Sequence, residues 1–245
     1  MKIPNRNQSL YYTTLSILIH CALYSTVSAL PIRFLAWDAS VADRKMSFQS
    51  GSSLTALEDL TPFTRSKPFE TTGGQVALFL VASDRTGSDG KPASTPITFT
   101  PGITAALVVI LPDTNHPTGL RTFTFDDSLG KFEWGSIRFV NATGKELLVK
   151  CDETVISVPA SWSPADFQPG GATRNLAVQA VVKDNPKELV YSSIWKHNPE
   201  VRNLVLLTPS ANPQSRIVNF KTIPEDRRIL SLDAAASKAQ QSPAP

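Results

Sequence analysis

Cysteine is scarce in this chain, since only Cys21 and Cys151 occur among its 245 residues. We expect Cys21 to be removed with an N-terminal signal peptide, which leaves a chain that can form no internal disulfide. Small exported domains often depend on disulfides for their stability, whereas this chain must be stabilised by its hydrophobic core alone. About 215 residues are enough for one large domain or two small domains of that kind.

An excess of charge of one sign is also missing. The full chain has 24 basic and 21 acidic residues, and two of the basic ones, Lys2 and Arg6, lie in the first 29 positions. The rest of the chain therefore has a net charge near +1. This balance gives no electrostatic attraction for nucleic acid, and we expect no nucleic-acid partner.

Residues 1–29 have the pattern of a secretory signal peptide. The two basic residues precede the apolar run Leu15–Tyr24, and Val27, Ser28 and Ala29 then form a cleavage site. The run is shorter than the roughly 20 residues that span a bilayer. We predict cleavage and export to the periplasm or the extracellular medium, with a retained N-terminal anchor as the alternative. No later stretch is apolar enough to predict a transmembrane segment after cleavage.

Long amphipathic helices are missing as well. No segment of eleven or more residues keeps the 3.6-residue apolar spacing of a helix, and 19 prolines and 12 glycines punctuate the chain. The apolar runs are five to eight residues long and rich in Val, Ile, Leu and Phe, which is typical of strands. Ala105–Leu111 is the most apolar of them and predicts a buried strand. We therefore predict an all-β fold with antiparallel sheets packed face to face.

Similar features recur in the same order in the two halves of the chain. Ile32-Arg33-Phe34 matches Ile137-Arg138-Phe139 at an offset of 105 residues. Two further matches have an offset of 97 residues, namely Gly73-Gly74 with Gly170-Gly171 and Pro112 with Pro209. Such spacing predicts an internal duplication. We predict two tandem Ig-like antiparallel β-sandwich modules, residues 30–130 and 131–226, followed by a disordered Ala/Ser/Gln/Pro tail, residues 227–245. One continuous β-sandwich is the alternative.

Residues that bind metals are few. After signal cleavage the chain contains His116, His197, Cys151 and Met46, which is the ligand set of a blue-copper site. Such a site draws most of its ligands from one short loop, and here no ligand follows Cys151 closely. We interpret Cys151 as a buried apolar residue and the two histidines as solvated loop residues. Asp84, Ser88 and Asp89 fit a hairpin turn better than a Ca²⁺ site. We predict no metal and no cofactor.

Residues arranged for catalysis are equally hard to find. The chain has no Gly-x-Ser-x-Gly elbow and no cysteine and histidine close together in sequence. The carboxylates that could form a glycosidase-type pair are Asp38, Asp126, Asp127, Asp152 and Glu153. Acidic pairs of this kind are usually turn or strand-end residues. We therefore predict no catalytic residue and a non-enzymatic protein, with a polysaccharide-acting hydrolase or lyase as the alternative.

Aromatic residues provide the candidate binding site. The tryptophans, Trp37, Trp134, Trp162 and Trp195, fit either a sandwich core or a platform on which a sugar stacks. Core packing is the preferred interpretation. In the predicted strand 189–195, Tyr191 and Trp195 share a face and form a small aromatic patch. The candidate binding residues are Trp195, Tyr191 and Trp134. Asn141-Ala142-Thr143 fits a glycosylation acceptor and also a turn at the end of a strand.

Two segments carry a resemblance, one running from Pro117–Arg121 through Trp134–Thr143 and the other Ser193–Pro199. Through these segments the chain resembles uncharacterised exported bacterial proteins that are predicted to be β-sandwiches. No activity is known for such proteins, so the resemblance implies a fold and no function. Two Ig-like modules behind a signal peptide are also similar, more weakly, to periplasmic pilus chaperones. Those chaperones grip a subunit carboxylate with an arginine and a lysine, a pattern that no residue pair of this sequence can be matched to.

The features together lead to one hypothesis about function. We predict an exported, non-enzymatic β-sandwich protein that recognises a protein or a glycan of the cell envelope. Strand edges and turn loops would form the binding surface. A periplasmic assembly chaperone and the polysaccharide-acting enzyme are the alternatives.

Overall fold

The computed structural model describes residues 29–71, 77–210, 212, 215 and 217–232. Almost all of the predicted signal peptide, the first glycine pair and most of the predicted tail lie outside these residues. Within the described part of the chain, no helix has the length and hydropathy needed to cross a membrane.

The described part of the first module contains eight strands and one short helix. They are β1 (Pro31–Ala36), α1 (Ala39–Ala42), β2 (Met46–Ser50), β3 (Ser53–Ala56), β4 (Phe69–Glu70), β5 (Leu78–Thr86), β6 (Pro92–Ile97), β7 (Ala106–Pro112) and β8 (Leu120–Asp126). The strands form two sheets in the orders β3-β2-β5-β6 and β4-β1-β7-β8. All neighbours are antiparallel except β1 and β7, which run parallel.

The residues of the second module that the structure describes also form eight strands. They are β9 (Ile137–Asn141), β10 (Leu147–Cys151), β11 (Thr154–Val158), β12 (Ala165–Phe167), β13 (Arg174–Val182), β14 (Asn185–His197), β15 (Val201–Pro209) and β16 (Val218–Asp226). Their sheets have the orders β11-β10-β13-β14 and β12-β9-β15-β16, and β9 runs parallel to β15. A helical turn at 227–232 follows β16.

The two modules have the same topology, since each strand of the second takes the place of the strand eight positions earlier in the first. The predicted fold class, two tandem antiparallel β-sandwich modules, is confirmed. The last strand of the first module ends at Asp126 and the first strand of the second begins at Ile137. Duplication of the sequence and the exact module boundaries stay predictions.

Among the described residues, three hydrophobic cores pack the four sheets into layers. The first lies between the two sheets of the first module and includes Phe34, Phe48 and Val108. The second lies between the two sheets of the second module and includes Phe139 and Val178. The third lies between the modules and consists of Leu35, Leu107, Val109, Leu111, Phe125, Phe132, Val140, Leu204, Leu206 and Ile223. We refer to this third core as the junction core.

The central strands are buried on both faces because each module covers the outer face of the other. Successive residues of β7 point to opposite faces. Val108 belongs to the first core, and the next residue, Val109, belongs to the junction core. Strands with two buried faces read as continuous apolar runs, which is why the β7 sequence does not alternate. Strand β13 lies in a sheet whose other face is open to solvent, and its residues alternate between exposed and buried.

Candidate functional site

Charged side chains meet at one end of the junction between the modules. Arg33 donates to both Asp127 and Glu225, and so does Arg202. Arg65 donates to the two carboxylate oxygens of Asp127 at 3.1 and 3.3 Å. We refer to these five residues, three arginines and two acids from both modules, as the charge cluster.

The charge cluster keeps its two carboxyls ionised. Burial by itself would raise the pKa of Asp127, but the positive charges of Arg65, Arg202 and Arg33 outweigh it and lower that pKa. The pKa of Glu225 is lowered in the same way, against the effect of burial, by the surrounding arginines. A carboxyl that stays ionised and is buried among arginines is a poor general acid. We therefore assign the charge cluster no catalytic role. Its ion pairs Arg33–Glu225 and Arg202–Asp127 join the two modules.

Aromatic rings cover the charge cluster. The guanidinium carbon of Arg202 lies 5.0 Å from the ring centre of Phe132 and 5.1 Å from that of Trp134. Both distances are within the range of a cation–π contact. Trp134, one of the candidate binding residues, is thus half-buried against an arginine of the charge cluster.

A groove with a volume of about 670 Å³ opens between the modules. The first module contributes the loop 100–103 and the strand segment Phe123–Asp126 of β8. The second module contributes residues that include Arg138, Trp162 and Asp166. Pockets of this size that join aromatic surface to a few polar groups are typical ligand sites. We refer to it as the inter-module groove.

Trp162 forms the aromatic wall of the inter-module groove. Its ring centre lies 5.0 Å from that of Phe123 and 5.6 Å from that of Trp37, so aromatic side chains of both modules meet there. Trp162 has a backbone φ of +64°, in the left-handed region that side chains other than glycine rarely adopt. Strained backbone of this kind concentrates at functional sites, and the half-buried indole remains partly open to solvent.

Arg138 and Asp166 form the polar wall. Arg138 donates from Nε and Nη2 to the two carboxylate oxygens of Asp166, each at 2.7 Å. Its remaining bonds go to the backbone carbonyls of Asp126, at 2.5 Å, and Lys131, at 2.8 Å. The side chain of Arg138 is 6% exposed and that of Asp166 is 42% exposed. The arginine therefore fixes a carboxylate that still presents one side to solvent.

The other two candidate binding residues lie elsewhere, on β14 of the second module. Trp195 donates from its indole N–H to the hydroxyl of Tyr191 at 2.9 Å. The ring of Tyr191 stacks on that of Phe220 with centres 3.8 Å apart. Both residues are half-buried and pack against the core of the second module. Their role in binding stays a prediction.

The histidines occupy different environments. His116 lies at a tight turn, where its Nδ1 is 2.7 Å from the hydroxyl of Thr118 and 3.1 Å from that of Thr95. The interpretation of His197 as a solvated loop residue is wrong. His197 ends β14 and is buried, and its Nε2 has no hydrogen-bond partner among the described residues. The strand buries the ring because it continues to His197, two residues further than the predicted end at Trp195.

Cys151 is buried, as predicted. Burial raises the pKa of its thiol to about 12, and the neighbouring charge of Asp152 adds to the increase. A thiol with so high a pKa is not nucleophilic near neutral pH. The described residues contain no group of three or more His, Cys, Asp or Glu side chains that could hold a metal ion.

The five acids considered for catalysis each have a structural partner. Asp38 caps α1 by accepting from the Val41 N–H at 3.0 Å. Asp126 accepts from the Ser128 N–H at 3.0 Å. Asp152 pairs with Arg174, Glu153 with Lys150, and Asp127 with the arginines of the charge cluster. Among them, Asp126 alone lines the inter-module groove.

Sequence reasoning missed the arginines of the junction and the polar wall. Arg33 and Arg138 were visible as the central residues of the repeated Ile-Arg-Phe pattern. An arginine between large apolar residues in a buried strand needs a partner, because an unpaired buried charge is costly. That signal indicates that Arg33 has acidic partners, but it does not identify them. Its partners Asp127 and Glu225 are 94 and 192 residues further along the chain.

No family model and no curated protein matches this chain. Among solved structures, the chain is similar to a candidate cell adhesion protein from Bacteroides uniformis, at 9% sequence identity and a TM-score of 0.24. The similarity covers 82% of this chain and 97% of that chain. A score this low gives no basis for assigning a function.

Proposed function

We propose that this chain is an exported, non-enzymatic binding protein of the cell envelope, and that its ligand occupies the inter-module groove. The observation that carries the proposal is the groove itself. It joins a partly open indole to a solvent-facing carboxylate and has walls from both modules. Export is supported by the sequence pattern of residues 1–29.

The rigidity of the groove supports binding. The junction core and the ion pairs Arg33–Glu225 and Arg202–Asp127 of the charge cluster hold one module against the other. A groove whose walls are already in place loses little conformational entropy when a ligand enters, which favours affinity. The proposed ligand, a protein or a glycan, would therefore find a largely preformed site.

The chemistry of the groove favours binding over hydrolysis. A glycosidase uses two free carboxyls on opposite sides of the scissile bond. In the groove, both oxygens of Asp166 accept bonds from Arg138, and one oxygen of Asp126 accepts from a backbone N–H. Both groups are held in place by the protein, as suits ligand recognition.

Co-sedimentation with envelope fractions of the source organism tests the proposal. The purified protein should sediment with the envelope, and Ser163→Trp, which adds a large side chain to the groove wall, should reduce the bound fraction several-fold. Ser192→Trp is the matched control, because Ser192 is exposed on β14 and does not line the groove. Equal sedimentation of both variants and the unchanged protein would disprove the groove as the site, and no sedimentation of any of them would disprove envelope binding.

A further inference from the structure

We infer that the occupant of the inter-module groove is a neutral saccharide, with one pyranose ring stacked on Trp162 and its hydroxyls hydrogen-bonded to Asp166. This inference rests on the proposed function and names its ligand class. It follows from the chemistry of the aromatic wall and the polar wall, and from the equal numbers of acidic and basic residues that line the groove.

The aromatic wall suits the apolar face of a sugar. One face of a pyranose ring presents C–H groups, which pack on the electron-rich face of an indole. Trp162 is half-buried. Phe123 and Trp37 pack around it at 5.0 and 5.6 Å, and the guanidinium carbon of Arg121 lies over its ring at 5.7 Å from the ring centre. These neighbours hold the ring in one orientation, so a sugar that stacks on it does not have to immobilise a mobile side chain.

The polar wall suits the hydroxyls. An ionised carboxylate accepts hydrogen bonds only and has about four lone-pair sites on its two oxygens. Arg138 uses one site on each oxygen of Asp166 and leaves the exposed side available. Neighbouring sugar hydroxyls can donate to that side, and bonds to a charged acceptor are the stronger kind. Arg138 acts here as a positioning residue, since it orients the carboxylate.

The charges around the groove favour a neutral ligand. Asp126 and Asp166 are balanced by Lys131 and Arg138 among the lining residues. Arg138 is already paired with Asp166, so it does not attract a second anion. A phosphorylated or sulfated ligand would need an unpaired arginine or lysine cluster. A neutral sugar needs an aromatic face and fixed acceptors, which the two walls supply.

Titration of the protein with a panel of neutral oligosaccharides, followed by calorimetry and tryptophan fluorescence, tests the inference. We expect at least one member to bind and to change the fluorescence. Trp162→Asn should weaken that binding at least about tenfold, and asparagine suits this position because it tolerates the left-handed backbone. In Trp162→Phe, binding should persist while the fluorescence change is lost.

Asp166→Asn examines the polar wall. The amide keeps the shape of the side chain but replaces one acceptor oxygen with a donor and removes the charge, so affinity should fall at least about tenfold. Affinity for the oligosaccharide should change less than about twofold between about 50 and about 300 mM NaCl, because a neutral ligand is not screened. A strong salt dependence would contradict a neutral ligand.

Ser192→Asn is the matched control and should leave affinity unchanged, because Ser192 is exposed on β14 and does not line the groove. Trp195→Asn tests the other aromatic candidate site, on β14. If Trp195→Asn abolishes binding in the folded protein and Trp162→Asn does not, the sugar lies on β14 and the inference is wrong. Failure of every oligosaccharide, with the folded protein present, would also overturn it.

Treatment of the envelope fraction separates this inference from the proposed function. Periodate, which cleaves vicinal diols, should abolish co-sedimentation, and protease should not. The opposite pattern would refute the saccharide and leave the binding function intact. Absence of co-sedimentation with the untreated fraction would refute the binding function as well.

Discussion

At the scale of single residues, Arg202 is the most buried charged residue in the part of the chain that the structure describes. Its side chain is 3% exposed. It donates to Glu225 at 2.6 Å and to the backbone carbonyls of Asp127 and Phe132, both at 2.9 Å. With the further bond to the Asp127 carboxylate, these bonds to buried acceptors, two of them backbone groups of the segment that connects the modules, fix this arginine in the junction.

Replacement of Arg202 with alanine should therefore destabilise the protein by about 3–5 kcal/mol, because it removes one arginine partner from each of the two buried acids and a donor from two backbone carbonyls. Chemical denaturation, compared with the unchanged protein, measures the difference. Arg227→Ala is the control. Arg227 pairs with Glu200 at 2.6 Å, but its side chain is 54% exposed, and such a pair contributes about 0–1 kcal/mol. Similar losses in both variants would show that the charge cluster contributes no more than a surface pair.

His197 gives the protein a pH dependence at the same scale. Burial lowers the pKa of His197 below its ordinary value of 6.5, and the positive charge of Arg174 lowers it further. The unfolded chain therefore binds a proton more readily than the folded protein does. The stability that the neutral ring contributes is complete above a pH of about 6.5 and is lost as the pH falls from there through the lower folded pKa.

Replacement of His197 with glutamine removes this titration. The free energy of unfolding should then fall less between about pH 7.5 and about pH 5.5 than it does in the unchanged protein. Denaturant titrations at the two pH values measure both differences. An identical fall in the two proteins would mean that His197 does not titrate differently on folding.

At the scale of secondary-structure elements, the two buried faces of β7 make a testable distinction. Ile110 faces the core of the first module, and Leu107 faces the junction core. Truncation of either to alanine should cost about 2–5 kcal/mol, because each leaves a cavity in a packed core. The exposed Ile194 of β14, at 65% exposure, is the control, and Ile194→Ala should change stability by less than about 0.5 kcal/mol.

Equilibrium denaturation of the three variants measures these costs. A cost for Leu107→Ala as small as that for Ile194→Ala would show that the face of β7 opposite the first core is not buried in solution. In that case the modules would not pack as the junction core requires.

At the scale of the whole molecule, the junction packs the two modules against each other. Buried apolar side chains from both modules form the junction core, and the charge cluster adds ion pairs between the modules. Lys221 of the second module also donates to the backbone carbonyl of Trp37 at 2.5 Å. Burial lowers the pKa of Lys221 to about 8, and the charge of Asp38 opposes that change. Separate modules would expose all of this surface to water.

We therefore expect a single unfolding transition in calorimetry, with the calorimetric and van't Hoff enthalpies equal. Val109→Asp, which buries a carboxylate in the junction core, should uncouple the modules and give two transitions or a much lower cooperativity. Two transitions in the unchanged protein would contradict the shared junction.

Prediction from the sequence succeeded where the pattern is local and failed where distant surfaces meet. The strand composition, the turn residues and the repeated order of features predicted a two-module β-sandwich. They did not predict the inter-module groove, because Trp162 and Phe123 are 39 residues apart and belong to different modules. Trp162 was considered as a sugar platform only as one of four tryptophans, and it was not among the candidate binding residues, which were Trp195, Tyr191 and Trp134.

The sequence by itself determined which segments become strands and which faces of them are apolar, because alternation with a period of two depends only on neighbouring residues. Tertiary structure alone decided that Arg33 meets Glu225, that His197 is buried and that Trp162 borders a groove. Those outcomes depend on how two modules pack, and packing is a sum over many side chains from both halves of the chain. A local pattern therefore specifies each sheet, whereas the site between the sheets exists only once the modules are joined.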